Sequence, residues 1–455
     1  MKQQQKNKKP EKGRNFLYPK KPSGKLYAYR KWVSYVLLVF LFAAPFLKIK
    51  GEQWVLLNFI ERKFVFFGLI FTPQDFYLFA LAMLIMLIFI VCFTVILGRL
   101  WCGWVCPQTI FMEMVFRRIE YWVEGDANQQ KKLDAQEWTR EKILKKGFKH
   151  FLFLLISFAI SNTFLAYLIG SDQLYKIITE PVSQHVSGFI SIWIFTLIFY
   201  GVFAYVREVV CTVICPYGRL QGVLLDNQSL IVAYDENRGE PRGFLQKNVV
   251  DLEKGDCIDC GLCVQVCPTG IDIRQGTQLE CVNCTACIDS CNEVMFKINK
   301  PKNLIGFYSQ DFIAERKPFK LGLRAYGYSA VLVVVILVFS SLIYKRQEVE
   351  TTVLRASGTT YQIRPDGSIS NLYNAELINK TNRDINFVFK SDNPGDKIVF
   401  IQKSTLLPKE GTVRITFFLI KKPKDLTGYK TDVLFNINTK EKTISTAKTT
   451  FFSQP

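Results

Sequence analysis

The 455-residue chain has room for two or three ordinary domains, and at 49% hydrophobic and 14% aromatic residues it is too apolar for a disordered tail. In a soluble protein the formal net charge of +19 would point to nucleic acid; here the basic residues cluster beside long apolar runs and point to membrane topology. Thirteen cysteines against two histidines favour thiolate metal chemistry over haem held by His150 and His185, and tight cysteine motifs that end at Cys291 exclude a secreted disulfide scaffold.

Residues 1–31 form a basic arm with Glu11 as its one acid, expected to be a solvated tail held near anionic lipid. No small-residue cleavage site follows, so no cleavable signal peptide is expected. Residues 32–206 read as a four-helix membrane domain of two hairpins, with spans Trp32–Leu47, Phe76–Leu97, Phe151–Gly170 and Gly188–Val206. A fifth span, Tyr326–Tyr344, occupies 324–345. Each approaches the roughly 20 apolar residues that a bilayer demands. Trp54–Phe71 is also apolar, but Glu61, Arg62 and Lys63 interrupt it, so a loop or interfacial segment is expected there. Lysines and arginines crowd the arm and the loop between spans two and three, whereas Lys176 stands alone between spans three and four. By the positive-inside rule the N-terminus and the 207–323 insert are cytoplasmic, and residues 346–455 face outward.

The second and fourth spans each run into the same motif, Trp101-Cys102-Gly103-Trp104-Val105-Cys106-Pro107 and Val210-Cys211-Thr212-Val213-Ile214-Cys215-Pro216. Cysteines at i and i+4 share a helix face, and the following proline should kink or stop the helix near the second one. If the two hairpins pack side by side, four thiols converge into a site for a soft ion such as copper(I), zinc or an iron–sulfur cluster. The plainer reading is small buried residues in kinked helices. Cys92, alone in mid-span, is read as packing.

In the insert, Cys257-x2-Cys260-x2-Cys263-x3-Cys267-Pro268 is followed by Cys281-x2-Cys284-x2-Cys287-x3-Cys291. This is the spacing of a bacterial two-[4Fe-4S] ferredoxin, in which three close thiolates wrap one cubane and the fourth reaches across to the other. The pattern implies Cys257, Cys260, Cys263 and Cys291 for one cluster, and Cys281, Cys284, Cys287 and Cys267 for the second. Paired CxxC units also bind structural zinc, but two complete runs at this spacing weigh against it. The second run ends in Asn292 where the first has Pro268, a departure that leaves the ligands intact. Two cubanes relay single electrons, and no GxGxxG fingerprint of a nicotinamide or flavin site is visible. Residues 346–455 alternate β-branched and aromatic residues between turn signals, as in Ile385-Asn386-Phe387-Val388-Phe389. About seven short strands and an immunoglobulin-like sandwich are expected. With no Cys, His or Met, it reads as a docking module.

Taken together, the spans, the doubled Cys-x3-Cys-Pro motif, the ferredoxin insert and the outer sandwich resemble the cytochrome c oxidase accessory protein family, called CcoG, FixG or RdxA, over essentially the whole chain. The stretch from Glu61-Arg62-Lys63-Phe64 to Thr72-Pro73-Gln74-Asp75-Phe76 is similar to that family's outer loop. The resemblance implies a multi-pass protein of the bacterial inner membrane with a periplasmic C-terminal domain. It further implies reduction of copper(II) to copper(I) and a role in maturing a haem–copper terminal oxidase, with assembly factors and copper transfer proteins as partners. Three functions compete: a cupric reductase acting at Cys102, Cys106, Cys211 and Cys215, a quinol-oxidising electron-transfer subunit, and a non-catalytic assembly scaffold. Whether the four membrane thiols bind copper or a further cluster stays open.

Overall fold

The computed structural model describes Phe16 to Ser453 apart from residues 50, 61–62, 72–74, 245–253, 357, 359, 403, 424–425, 427 and 440–442. Residues 1–15 of the basic arm, and Glu61, Arg62, Thr72, Pro73 and Gln74 of the outer-loop segment, lie outside the described residues. The chain divides into two compact units, one of residues 1–43, 84–165 and 174–334 and one of 44–83, 166–173 and 335–455. Among the described residues five helices are long and apolar enough to cross a membrane: Lys25–Phe46, Phe76–Leu97, Arg140–Ile169, Val186–Val206 and Leu323–Tyr344. The most apolar stretch of the fifth is 0% buried.

In the first unit the leading helix begins at Lys25, seven residues before the span read from hydropathy. Its start is fixed from far along the chain: the Asp289 carboxylate accepts the backbone N–H groups of Leu26 and Tyr27 at 3.3 and 2.8 Å. A carboxylate on exposed N–H groups is a favoured N-terminal cap. Ahead of it the chain is tied down as well. Lys20 donates its N–H to the Gln265 carbonyl at 2.7 Å, Lys21 to Asp126 at 2.8 Å, and Tyr18 donates to Asp134. The described end of the arm is therefore tied both to the ferredoxin insert, at Gln265, and to the loop that carries Asp126 and Asp134, which corrects its reading as a solvated tail. The spanning helices meet through Phe116, which stacks on Phe203 at 4.4 Å and meets Phe153 edge-on at 4.8 Å. Below them Arg207 makes two 2.8 Å bonds to Glu120, and Lys149 reaches Glu124 at 2.9 Å, so these buried charges are paired.

In the second unit, the apolar stretch after the first helix folds as an antiparallel sheet of Val55–Asn58, Lys63–Phe66 and Leu69–Phe71. The C-terminal domain has ten strands among its described residues, more than the seven expected, because bends split several runs. One sheet orders Lys397–Gln402, Thr412–Lys421, Ile369–Asn379 and Val349–Arg355; another orders Val388–Ser391, Lys430–Asn438 and Thr443–Phe452. Alternating residues from both, including Tyr373, Phe389, Phe417, Phe435 and Phe451, close one core. Asp75, with 0% exposure, ties outer loop to sandwich by ion pairs to Arg346 at 2.6 Å and Lys380 at 2.7 Å.

Candidate redox site

The insert's two cysteine runs are built on one turn. Asp259 and Gly261, at φ 52° and 68°, flank Cys260; Asn283 and Thr285, at φ 50° and 66°, flank Cys284. Left-handed residues around a central cysteine gather backbone N–H groups into a concavity that receives anionic sulfur. A β-branched threonine adopts such a φ only under constraint, which marks the turn as functional. Each turn then starts a helix. Leu262–Gln265 stops short of Cys267-Pro268, whereas Ala286–Lys297 runs straight through Cys291-Asn292 because no proline interrupts it. The Asn292 side chain instead accepts the Asn303 N–H at 2.7 Å, holding the loop before strand Ile305–Tyr308.

Two cavities result. One is lined by Cys257, Cys260, Cys263 and Cys291, the other by Cys267, Cys281, Cys284 and Cys287 together with Cys263. Among the described residues no three His, Cys, Asp or Glu side chains are spaced for a single ion. A lone zinc, bonded to each sulfur at about 2.3 Å, would need that spacing. The sets of thiols that wall these cavities suit the donor set of a [4Fe-4S] cubane. Burial pushes the Cys263 thiol up to about 11, and those of Cys281 and Cys291 up to about 12. Such thiols ionise when a metal coordinates them, so metal and fold stabilise each other.

The membrane-side pairs share a local geometry. The N–H of Cys106 bonds the Trp101 carbonyl at 3.0 Å and that of Cys215 bonds the Val210 carbonyl at 2.8 Å, each five residues back. Such widened turns recur at functional sites. Cys106 and Cys215 then leave helical geometry, at ψ 123° and 112°, and cap the helices that begin at Pro107 and Pro216. The break at proline puts Cys102 and Cys106 on two successive helices, not on one continuous face. The two motifs still approach each other: Thr109 Oγ1, three residues after Cys106, lies 4.0 Å from the Cys211 sulfur. Burial pushes Cys102 up to about 12, against the pull of the nearby Arg99 guanidinium, and Cys211 up to about 11. Cys92 is buried apart from them, with Ser329 Oγ 3.3 Å from its sulfur.

The two sets of thiols are joined directly. Cys102 packs in one apolar cluster with Val266, Val282, Cys284 and Cys287. Gly103 lies against the backbone of Val282 and Cys284, a close approach that a side chain would prevent. Arg30 donates to the Gly103 carbonyl at 2.7 Å. Arg99 bonds Gln221 Oε1 at 2.7 Å, the Cys281 carbonyl at 3.3 Å and the Gly218 carbonyl, while the Cys102 thiol shares Gln221 Oε1 at 3.3 Å. Arg30, Arg99, Gly103 and Gln221 escaped the sequence reading, although one signal was present. Arg99 and Glu208 hold the same place, three residues before the first cysteine of each motif.

Comparison with known proteins agrees with this layout. Residues 206–310 match a family model described as a 4Fe-4S dicluster domain, residues 79–125 a 4Fe-4S binding domain, and residues 339–454 the IG-like fold at the C-terminus of FixG. Protein RdxB of Cereibacter sphaeroides is 36% identical over 80% of this chain and 79% of its own length. Protein RdxA of the same organism is 32% identical over 82% and 81%, and nitrogen fixation protein FixG of Rhizobium meliloti 36% identical over 65% and 57%. Among solved structures, a FixG-related protein from Vibrio parahaemolyticus is similar over 24% of this chain and all (100%) of its own, at 19% identity and a TM-score of 0.21.

Proposed function

The chain belongs to the FixG/RdxA family, and on that premise we propose that this iron–sulfur electron-transfer protein reduces copper(II) to copper(I) for the maturation of a haem–copper cytochrome c oxidase. In this reading Cys257, Cys260, Cys263 and Cys291 hold one cluster, and Cys281, Cys284, Cys287 and Cys267 the other. When bound, paired [4Fe-4S] clusters supply one-electron transfer. The observation that carries the reading is the packing of Cys102 in one apolar cluster with Cys284 and Cys287, two of the thiols assigned to the second cluster.

Copper(I) favours two or three thiolates, whereas copper(II) prefers nitrogen and oxygen in tetragonal geometry. A site offering Cys102, Cys106, Cys211 and Cys215 therefore stabilises the reduced ion. Each copper(II) takes up one electron, and thiols that bind it release their protons. Basic residues in the arm and the second loop support placing the insert on the cytoplasmic side of a bacterial inner membrane, and the sandwich outside as a docking module for assembly factors and copper transfer proteins.

A second reading, a further iron–sulfur cluster across the same four thiols, is favoured by the match of residues 79–125, which include Cys102 and Cys106, to a 4Fe-4S binding domain. Iron counting on anaerobically purified Cys106→Ala decides between them. Unchanged iron with lost copper(II) reduction supports copper, loss of about four irons supports the further cluster, and unchanged activity rejects the site.

A further inference from the structure

The two cavities of the insert differ in access and in charge. Around the first, Cys260 is the exposed cysteine of the thirteen. The one arginine lining that cavity, Arg274, is neutralised by Asp272 at 2.8 Å and by Asp259. The second cavity is closed on one side by the chain itself: Gly103 lies against Cys284, and Arg117 donates to the carbonyl of the lining residue Pro268 at 3.2 Å.

Two arginines stand beside this cavity. Arg30 is 2% exposed and Arg99 4%, and among the described residues neither has a carboxylate within ion-pair distance. Arg30 spends its Nε on the Gly103 carbonyl, and its buried Nη2 has no hydrogen-bond partner. Arg99 donates to the carbonyl of Cys281 at 3.3 Å, and Gly103, the residue Arg30 holds, lies against the backbone of Cys284. A buried cation without a counter-charge is among the costlier features a fold can carry. Two of them at one cavity predict an anion in it.

We infer that Arg30 and Arg99 are positioning residues that supply the counter-charge for the electron-rich state of the second cavity's thiolate-bound cluster, so that an added electron rests there, beside Cys102, and not at the exposed Cys260 end. The inference rests on the cluster ligand sets proposed above and on no property of copper. One electron is taken up and none is lost; no bond forms or breaks, and the reductant in the test is dithionite. The neutralised Arg274 gives the first cavity no such excess charge, so the two clusters separate in potential.

The test is an anaerobic redox titration of the full-length protein followed by electron paramagnetic resonance, with the first-cavity signal identified by its change in Cys260→Ser. Arg30→Gln and Arg99→Gln should each lower the midpoint of the second-cavity signal by at least about 59 mV, a tenfold shift in a one-electron equilibrium, and leave the first in place. Arg30→Lys, which keeps the charge, should restore most of the shift. Because Arg99 makes three hydrogen bonds, its variant could lose iron; Arg30→Gln then carries the test. Unmoved potentials, equal shifts in both signals, or a Lys variant as low as the Gln variant would overturn the inference. Expected potentials in a protein that, reduced by dithionite, leaves copper(II) untouched would remove the copper reading and leave this one standing.

Discussion

Gly103 is where the insert and the membrane-side thiols meet, and replacing it should separate them. A Cβ built there stands 3.0 Å from both the N and the Cα of Cys284, and closer still to the Val282 carbonyl, where ordinary contact begins at 3.4 Å. Those neighbours are backbone, fixed by the left-handed turn of Asn283 and Thr285, so they cannot swing aside as a flexible side chain could. The insert must retreat by about 1 Å to restore ordinary contact at the Val282 oxygen, and overpacking of this kind costs about 1–3 kcal/mol. At 1.4 kcal/mol per factor of ten, that shifts the docked fraction about 5- to 150-fold. Gly103→Val should therefore expose the insert to limited proteolysis and slow copper(II) reduction by dithionite-reduced protein, while iron content stays that of wild type. Gly147→Ala is the control. Its added Cβ meets nothing within 4 Å in the helix Arg140–Ile169, so it should be neutral or stabilising by about 0.5–1 kcal/mol. Wild-type proteolysis and activity in Gly103→Val would refute the claim that this contact couples the two sets of thiols.

Asp75→Asn removes the buried carboxylate shared by Arg346 and Lys380, of which Lys380 keeps Glu350 at 2.8 Å; a loss of up to about 3–5 kcal/mol is expected, read as a lower melting temperature of the sandwich, and an unchanged melt would show the pair to be dispensable. Burial alone would raise the Asp134 carboxyl, but hydrogen bonds from Lys146 and Tyr18 hold it below its usual range. Its stabilisation is therefore present above the ordinary carboxylate pKa and lost as the pH falls through the depressed one, so the melting difference between wild type and Asp134→Asn should be full near neutrality and vanish in acid. For topology, impermeant labelling of a cysteine placed at Tyr361 should occur from outside and one placed at Lys131 from inside; labelling of both from one side would end the proposed orientation.

Much was legible without coordinates because the signals were local. Hydropathy runs of nearly bilayer length announced five helices, and cysteine spacing announced the ferredoxin, since a cubane dictates how far apart its ligands lie along the chain. Proline after each second membrane-side cysteine announced the break in the helix, because the ring forbids helical geometry at the residue before it. What remained hidden depended on residues distant in sequence. Nothing near Lys25 announces that Asp289 caps the first helix, and nothing near Gly103 announces that its missing side chain makes room for Cys284. Arg30 and Arg99 looked like two more basic residues in a strongly basic chain. Only their burial without carboxylate partners, a property of the folded molecule and not of its composition, sets them apart as charges that await an electron.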